Sequence, residues 1–339
     1  MKTICDVDVN EKRVLLRYDL NCPINEKGEI TDDFRIRKVI PTIEYLLSKN
    51  AKVILMSHLD NPKGKVIEKL RLTNIQEKLF EYLDLSILKA PDCIGDNVRK
   101  MVEEMCPCEV LLLENLRFHK EEEENDNNFA KELASLGDIF VNDAFGASHR
   151  VHASIVGITK YLPSFAGILL GKEIKTLKNV LEKPKRPLVG IFGGVKIDTK
   201  LPIIKKFIDI ADFVLIGGKI AEEIEFSNPK LIVAECEKHG FDINKESIEK
   251  FKEIIKKAGT IVWNGPLGYF EKPEYEKGTK EIAIAITESK AFKLLGGGET
   301  LFAVSKYDLE DKVDFLSTGG GAMLEFLANE KLPGLDPIL

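Results

Sequence analysis

The chain has 339 residues, 44% of them hydrophobic and 31% charged, with a net charge of −6. That length predicts two domains rather than one, the composition excludes a disordered chain, and the negative balance excludes wholesale electrostatic attraction to nucleic acid or to an anionic membrane. No apolar run reaches the ~20 residues that span a bilayer, the N-terminus lacks the basic-then-apolar order of a signal peptide, and the expected location is the cytoplasm.

In chain order, the pattern alternates strand and helix. Short apolar runs with β-branched or aromatic members predict strands over 12–20, 51–57, 110–113 and 138–142, with helices over 41–47, 74–83 and 128–136. In the second half, strands are predicted over 186–192, 212–216, 230–234, 260–263, 292–295 and 313–316. Helices are predicted over 201–210, 245–257 and 279–289, with a last one opening near Gly320. Such alternation predicts an α/β protein with parallel sheets and helices on both faces. Residues 168–181 read as a long helix closed by Pro184 and Pro187, and this is the expected connector between lobes. The carboxylate run Glu121–Glu124 reads as a solvated loop. The six cysteines are scattered, and the one close pair, Cys106 and Cys108, reads as reduced thiols rather than a metal site.

Charge distribution separates the two halves. Eight of the nine arginines lie at or before Arg150, and arginine is the better bidentate clamp for carboxylate and phosphate. Polar clusters fall at successive strand ends, where parallel α/β folds place their ligands. They are Arg17 to Asn21, Ser57-His58, Glu114 to Arg117, and Asn142 to Gly146 followed by His149-Arg150; Arg35 lies beyond the first strand. Any one of these arginines alone reads as a surface ion pair, but their recurrence at strand ends predicts a basic pocket for a small phosphorylated acid. The second half carries glycine turns instead: Gly193-Gly194 to Lys200, Gly217-Gly218, Gly296 to Thr300, and Ser317 to Ala322. Glycines let a backbone approach phosphates, and helix N-termini supply free N–H donors. Lys196 and Lys200 are one helical turn apart and can face one anion. Neither the P-loop spacing nor a full dinucleotide fingerprint is present.

The strings around 16–23, 30–35, 53–59, 111–118, 138–146, 148–154, 193–196, 262–271, 296–300, 317–322 and 332–335, in this order, resemble the motifs of phosphoglycerate kinases. Asn264-Gly265-Pro266-Leu267-Gly268 and the Ser317 turn are the most distinctive. The resemblance implies two doubly wound, Rossmann-like lobes joined by a hinge helix. Its divisions would be 1–165 for the acid substrate, 166–184 for the hinge, 185–322 for the nucleotide, and 323–339 packing back on the first lobe. It implies reversible phosphoryl transfer between 1,3-bisphosphoglycerate and ADP, giving 3-phosphoglycerate and ATP, a step of glycolysis and gluconeogenesis. By the same resemblance Asp19, Asn21, Arg35, His58, Arg117 and Arg150 would surround the acid. Gly193, Lys196, Lys200, Gly217, Asn264, Glu271, Gly297, Gly298 and Thr300 would hold the nucleotide, and Glu299 would hold Mg²⁺. Arg35, Lys196 and the backbone of Gly320 and Gly321 would stabilise the moving phosphoryl. A monomer acting on these small molecules, with no nucleic acid or membrane partner, is expected.

The chain also departs from the family pattern. Asp60-Asn61 stands where the family has Gly-Arg, Glu299 where it has Asp, and Phe315 where it has His. Between Phe226 and Ile248 the family carries a much longer stretch, one that helps shape the nucleoside side of the pocket. The competing reading is a non-catalytic relative that binds a phosphorylated ligand or a partner. An unrelated dehydrogenase is disfavoured by the missing fingerprint.

Overall fold

Strands that are buried on both faces set the architecture. In this computed structural model, which describes the chain except residues 196, 238, 239 and 329 and the side chains of 198 and 199, the strands form two six-stranded sheets, each parallel throughout. The first contains β1 (Arg13–Arg17), β2 (Lys52–Met56), β3 (Ile87–Lys89), β4 (Val110–Leu112), β5 (Ile139–Asn142) and β6 (Ser164–Ala166), in the order β3-β4-β2-β1-β5-β6. Its helices are α1 (Phe34–Ser48), α2 (Thr73–Leu83), α3 (Asp96–Glu103), α4 (Lys120–Glu123) and α5 (Asn127–Ala134), and α6 (Ile168–Glu182) follows β6. The second sheet is built from β7 (Leu188–Phe192), β8 (Phe213–Ile216) and β9 (Leu231–Val233). After a small antiparallel pair, β10 (Cys236–Glu237) and β11 (Asp242–Ile243), it continues with β12 (Thr260–Asn264), β13 (Phe292–Gly296) and β14 (Phe315–Ser317). Its order is β14-β13-β12-β7-β8-β9, with α7 (Ile197–Ile210), α8 (Lys245–Lys257), α9 (Lys277–Glu288), α10 (Gly298–Lys306) and α11 (Gly320–Leu327) between and after the strands.

The period-2 alternation of a strand explains the layering. Val14, Leu16, Val53 and Leu55 enter one core with Ile36, Val39 and Ile43 of α1, whereas Leu15, Ile54 and Met56 enter another with Val98 of α3 and Phe129 and Leu133 of α5. In the second sheet Val189, Ile191, Ile261 and Trp263 pack against Phe251 of α8 and Ile282 of α9. On the opposite face Gly190 admits Phe207 of α7, and a Cβ there would lie 2.5 Å from that ring. The chain divides into two compact units, Met1–Ile174 with Lys331–Leu339 and Lys175–Glu330, so the division falls inside α6. The last residues are tied into unit 1: Lys2 N donates to Ile338 O at 2.8 Å, and Gly334 N to Ser148 O at 2.9 Å. Among the described residues, no helix is long and apolar enough to cross a membrane.

Element boundaries differ from the expectations where side-chain burial overrides local pattern. α1 begins at Phe34, not near Pro41, and Pro41 lies inside it. One backbone hydrogen bond is lost there, yet Ile36, Val39, Thr42, Ile43 and Leu46 keep one face buried and hold the helix together. α7 likewise starts at Ile197 and runs through Pro202. Residues 121–124 are not a wholly solvated loop: Lys120–Glu123 is helical and Glu122 is fully buried. The edge strands β3 and β6, of three residues each, are too short to show a period.

Candidate active site

Each sheet reverses its winding once, between β1 and β5 in the first and between β7 and β12 in the second. Ligand sites belong at the strand carboxyl ends beside such a switch.

In unit 1 these ends gather the cations. Arg17 closes β1 and is fully buried, and Asp19 just beyond it accepts Arg35 Nη1 at 2.6 Å. His58, after β2, is buried with its Nδ1 3.1 Å from Arg17 Nη2. Arg117, after β4, donates from Nη1 to Asp60 O at 2.9 Å, and Asp60 N donates to Asn21 Oδ1 at 2.7 Å. Asp60 holds φ at 56°, the left-handed conformation that suits the family's glycine. The loop after β5 brings His149, His152 and the exposed Arg150. Burial above all, then Arg17, Arg117, Arg35 and His152, holds the His58 pKa well below the ordinary imidazole range. Burial, then Arg117, Arg17, Arg150 and His149, pushes His152 down to about 3. All of these groups therefore share one field, a positive one that keeps its imidazoles neutral. Arg117 Nε lies 3.4 Å from Glu123 Oε1 and His152 Nδ1 lies 3.8 Å from Glu122 Oε1, so carboxylates border this field as well. The guanidinium charge gathered at these strand ends is what a phosphate or carboxylate would engage. The sequence marks Arg17 only as the start of a strand-end cluster, and it does not mark Glu122, Ser154 or His152 as site residues. A buried arginine and a buried glutamate look like surface residues until the fold encloses them.

In unit 2 the loops after β7 and β12 interlock through their backbones: Gly193 N donates to Asn264 O at 3.1 Å, and Gly194 N to Pro266 O at 2.8 Å. Asn264 Nδ2 donates to Gly296 O at 2.8 Å, and buried Thr300 Oγ1 accepts Gly265 N at 2.7 Å, so both side chains brace the turns. Gly297 precedes α10 with φ at 103°, and a Cβ on Gly320, the first residue of α11, would lie 2.4 Å from Gly297 Cα. The starts of α10 and α11 thus meet through glycine, and their first N–H groups, with those of Gly298 and Gly321, are left without intrahelical partners. Gly217 is buried beside Leu267. Lys200, in the first turn of α7, donates to Gly193 O, and burial pushes its pKa down to about 8 against the opposing pull of Glu299. Lys196 lies outside the described residues.

Beside these turns opens a cavity of about 430 Å³ lined by Gly194, Gly218, Gly240, Phe241, Pro266, Tyr269, Glu271 and Glu299, among others. This size and mixed lining suit a small ligand. Phe241 and Tyr269 are both 43% exposed on it; Phe241 stacks on Tyr275 with centroids 5.1 Å apart and is tilted against Tyr269 at 6.3 Å. Phe241 and Tyr269 were also not anticipated. Exposed Glu299, in the first turn of α10, is the carboxylate nearest the glycine turns on the cavity wall. Elsewhere, Asp92, Cys93 and His119 lie together, but His119 Nε2 sits 2.7 Å from Asp92 Oδ1 and its pKa is raised by that carboxylate, the signature of an ion pair.

Comparison with known proteins covers both units. The family profile described as "Phosphoglycerate kinase" matches residues 4–228 and 222–330, breaking where the chain is shortened. A phosphoglycerate kinase of Dictyoglomus turgidum is 43% identical, with 98% of each chain covered. One from Coprothermobacter proteolyticus is 40% identical over 100% of this chain and 99% of its own. That alignment runs to 388 positions, 49 more than the 339 residues here, as a deletion requires. Among solved structures, phosphoglycerate kinase from Pyrococcus horikoshii superposes with a TM-score of 0.89 at 31% identity, covering 100% and 98% of the two chains. The enzyme from Coxiella burnetii gives 0.82 at 31% identity, covering 99% and 98%.

Proposed function

The chain belongs to the phosphoglycerate kinase family, and we infer that it catalyses reversible phosphoryl transfer between 1,3-bisphosphoglycerate and ADP, yielding 3-phosphoglycerate and ATP. The observation that carries the assignment of roles is the separation of two anion sites. Clustered arginines and histidines make the one in unit 1, and glycine turns with two helix starts make the one in unit 2.

The acid binds in unit 1, its carboxylate and phosphate taken by Arg35, Arg117 and Arg150 with neutral His58 as a further donor. Asp19 orients Arg35 through their 2.6 Å contact. The nucleotide binds in unit 2. Its phosphates lie against Gly193, the Lys200 ammonium and the first N–H groups of α10 and α11, and its base and ribose occupy the cavity beside Phe241, Tyr269 and Glu271. Phosphoryl transfer needs in-line placement and charge neutralisation, with no protein nucleophile. Arg35, Lys196 and the Gly320 and Gly321 N–H groups supply fixed positive charge and dipoles where the transferring group's charge develops. Glu299 fits a Mg²⁺ site, since Mg²⁺ takes one or two carboxylates and completes its shell with phosphate oxygens and water; bound there, Mg²⁺ would neutralise phosphate charge. The bound acid and nucleotide must meet for transfer, so hinge closure about α6 is part of the proposal.

The test is ATP formation from 1,3-bisphosphoglycerate and ADP with Mg²⁺, beside Lys196→Ala. Turnover that the substitution cuts by at least about a hundredfold, while 3-phosphoglycerate still binds, is the expected result. A folded protein that binds 3-phosphoglycerate yet never turns over would favour a binding-only relative.

A further inference from the structure

Arg17 donates on every side. Its Nε donates to Ser154 Oγ at 2.8 Å, its Nη1 to Tyr18 O, and its Nη2 faces His58 Nδ1 at 3.1 Å. Ser154 in turn gives its hydroxyl proton to Glu122 Oε1 at 2.5 Å and its backbone N–H to Glu122 Oε2 at 2.9 Å. Glu122 is fully buried, and its Oε1 is 3.9 Å from Arg17 Nη2. A guanidinium enclosed without water needs such a counter-charge. A guanidinium has no acceptor, so His58 Nδ1 must be the unprotonated, accepting nitrogen, and the ring proton must sit on Nε2. That Nε2 lies 3.9 Å from Asp19 Oδ1, on the side where Asp19 holds Arg35.

We propose that Glu122 is a positioning residue of the acid site, acting through Ser154 and Arg17 to hold His58 as the Nε2–H tautomer that donates toward the bound acid. The proposal rests on the acid-site reading of unit 1. The charged and titratable groups facing His58 agree with a neutral ring: Arg17 from β1, Asp19 beyond it, Arg35 from α1, Arg117 after β4 and His152 after β5. Asp19 is the one anion among them, and Arg35 already engages it. Without Glu122 the buried guanidinium would lose its counter-charge and its fixed orientation, and Nδ1 its donor.

Nitrogen-15 correlation spectra of the histidine rings in the full-length protein test the tautomer without any substrate, and calorimetry with 3-phosphoglycerate and with ADP tests the consequence. In the wild type, His58 should show a protonated Nε2 and a bare Nδ1 even at about pH 6.5, where a free imidazole is half protonated. Glu122→Gln and Ser154→Ala should blur that signature into a tautomer mixture. Each should weaken 3-phosphoglycerate about tenfold, leave ADP affinity unchanged, and Ser154→Thr, which keeps the hydroxyl, should restore both. An Nδ1–H or doubly protonated His58 in the wild type overturns the proposal. So do folded variants in which the ring signature and the acid affinity both stay at wild-type values. If Glu122→Gln does not fold, the wild-type spectrum and Ser154→Ala decide. A wild type that binds no 3-phosphoglycerate sinks the acid-site reading, and the ring spectra then separate the two failures.

Discussion

Lys200 shows how burial converts a routine cation into a titrating one. Desolvation disfavours its ammonium, and its pKa falls to about 8. The sign follows directly: the protonated form attracts phosphate, so the attraction is present below about pH 8 and is lost as pH rises through it. ADP affinity in the free protein should therefore hold from about pH 7 to about pH 8 and then fall, by at most about tenfold per pH unit for a single group. Lys200→Arg, charged throughout, should flatten the curve. Calorimetric titration across that range checks this, and an equal decline in both proteins would remove Lys200 as the titrating group. Sequence spacing marks this lysine as a phosphate ligand because it follows a glycine turn at a helix start, but its displaced pKa depends on enclosure, which no local string encodes. The same limit hid Glu122, whose charge looks solvent-exposed until β1, α4 and the loop after β5 close around it and around Arg17.

At the scale of elements, the shortened stretch after Phe226 contains a small antiparallel pair, β10 with β11, of two residues each. Asp242, the first residue of β11, accepts Gly278 N at the start of α9 at 3.0 Å and has its pKa pushed up to about 6 by burial. That anchor holds the adjacent Phe241 at the mouth of the cavity. The deletion left the base contacts open in the sequence; in the structure an aromatic pair, Phe241 and Tyr269, stands at the cavity instead. Phe241→Ala should weaken ADP by about 1–3 kcal/mol, the usual value of one base–aromatic stack, with 3-phosphoglycerate affinity unchanged. Parallel calorimetry on the two ligands measures it; an undiminished ADP affinity would place the base elsewhere. The glycine turns at strand-to-helix junctions, by contrast, were legible in advance, because glycine marks the places where a backbone must turn tightly or approach closely.

At the scale of the whole molecule, the chain leaves unit 1 inside α6, builds unit 2, and returns with Lys331–Leu339. Leu332, Leu335 and Ile338 are buried there, and Gly334 O accepts Asn142 Nδ2 at 3.1 Å. Ending the chain at Glu330 removes those three side chains from the core of unit 1 and should cost it about 5–9 kcal/mol, at roughly 1.5–3 kcal/mol for each buried side chain. Differential scanning calorimetry should show the loss as a lowered transition; an unchanged thermogram would mean that the segment contributes nothing to stability. Because Asn142 and Ser148, which the returning segment holds, lead into His149 and Arg150, 3-phosphoglycerate binding should weaken with it.

What the sequence determined by itself was whatever is written in short-range pattern. The strand–helix alternation sets two parallel sheets, glycine turns fall at strand-to-helix junctions, and arginines recur at strand ends. Each depends on residues within a few positions of one another, where steric and hydrogen-bonding rules act directly. Tertiary structure alone decided the rest: that Glu122 leaves its acidic run to neutralise Arg17, that His58 is held neutral, that Phe241 stands where the chain was shortened, and that the last nine residues rejoin the first unit. These outcomes are set by enclosure and by contacts between residues far apart in the chain. Desolvation and long-range charge act only once the fold exists.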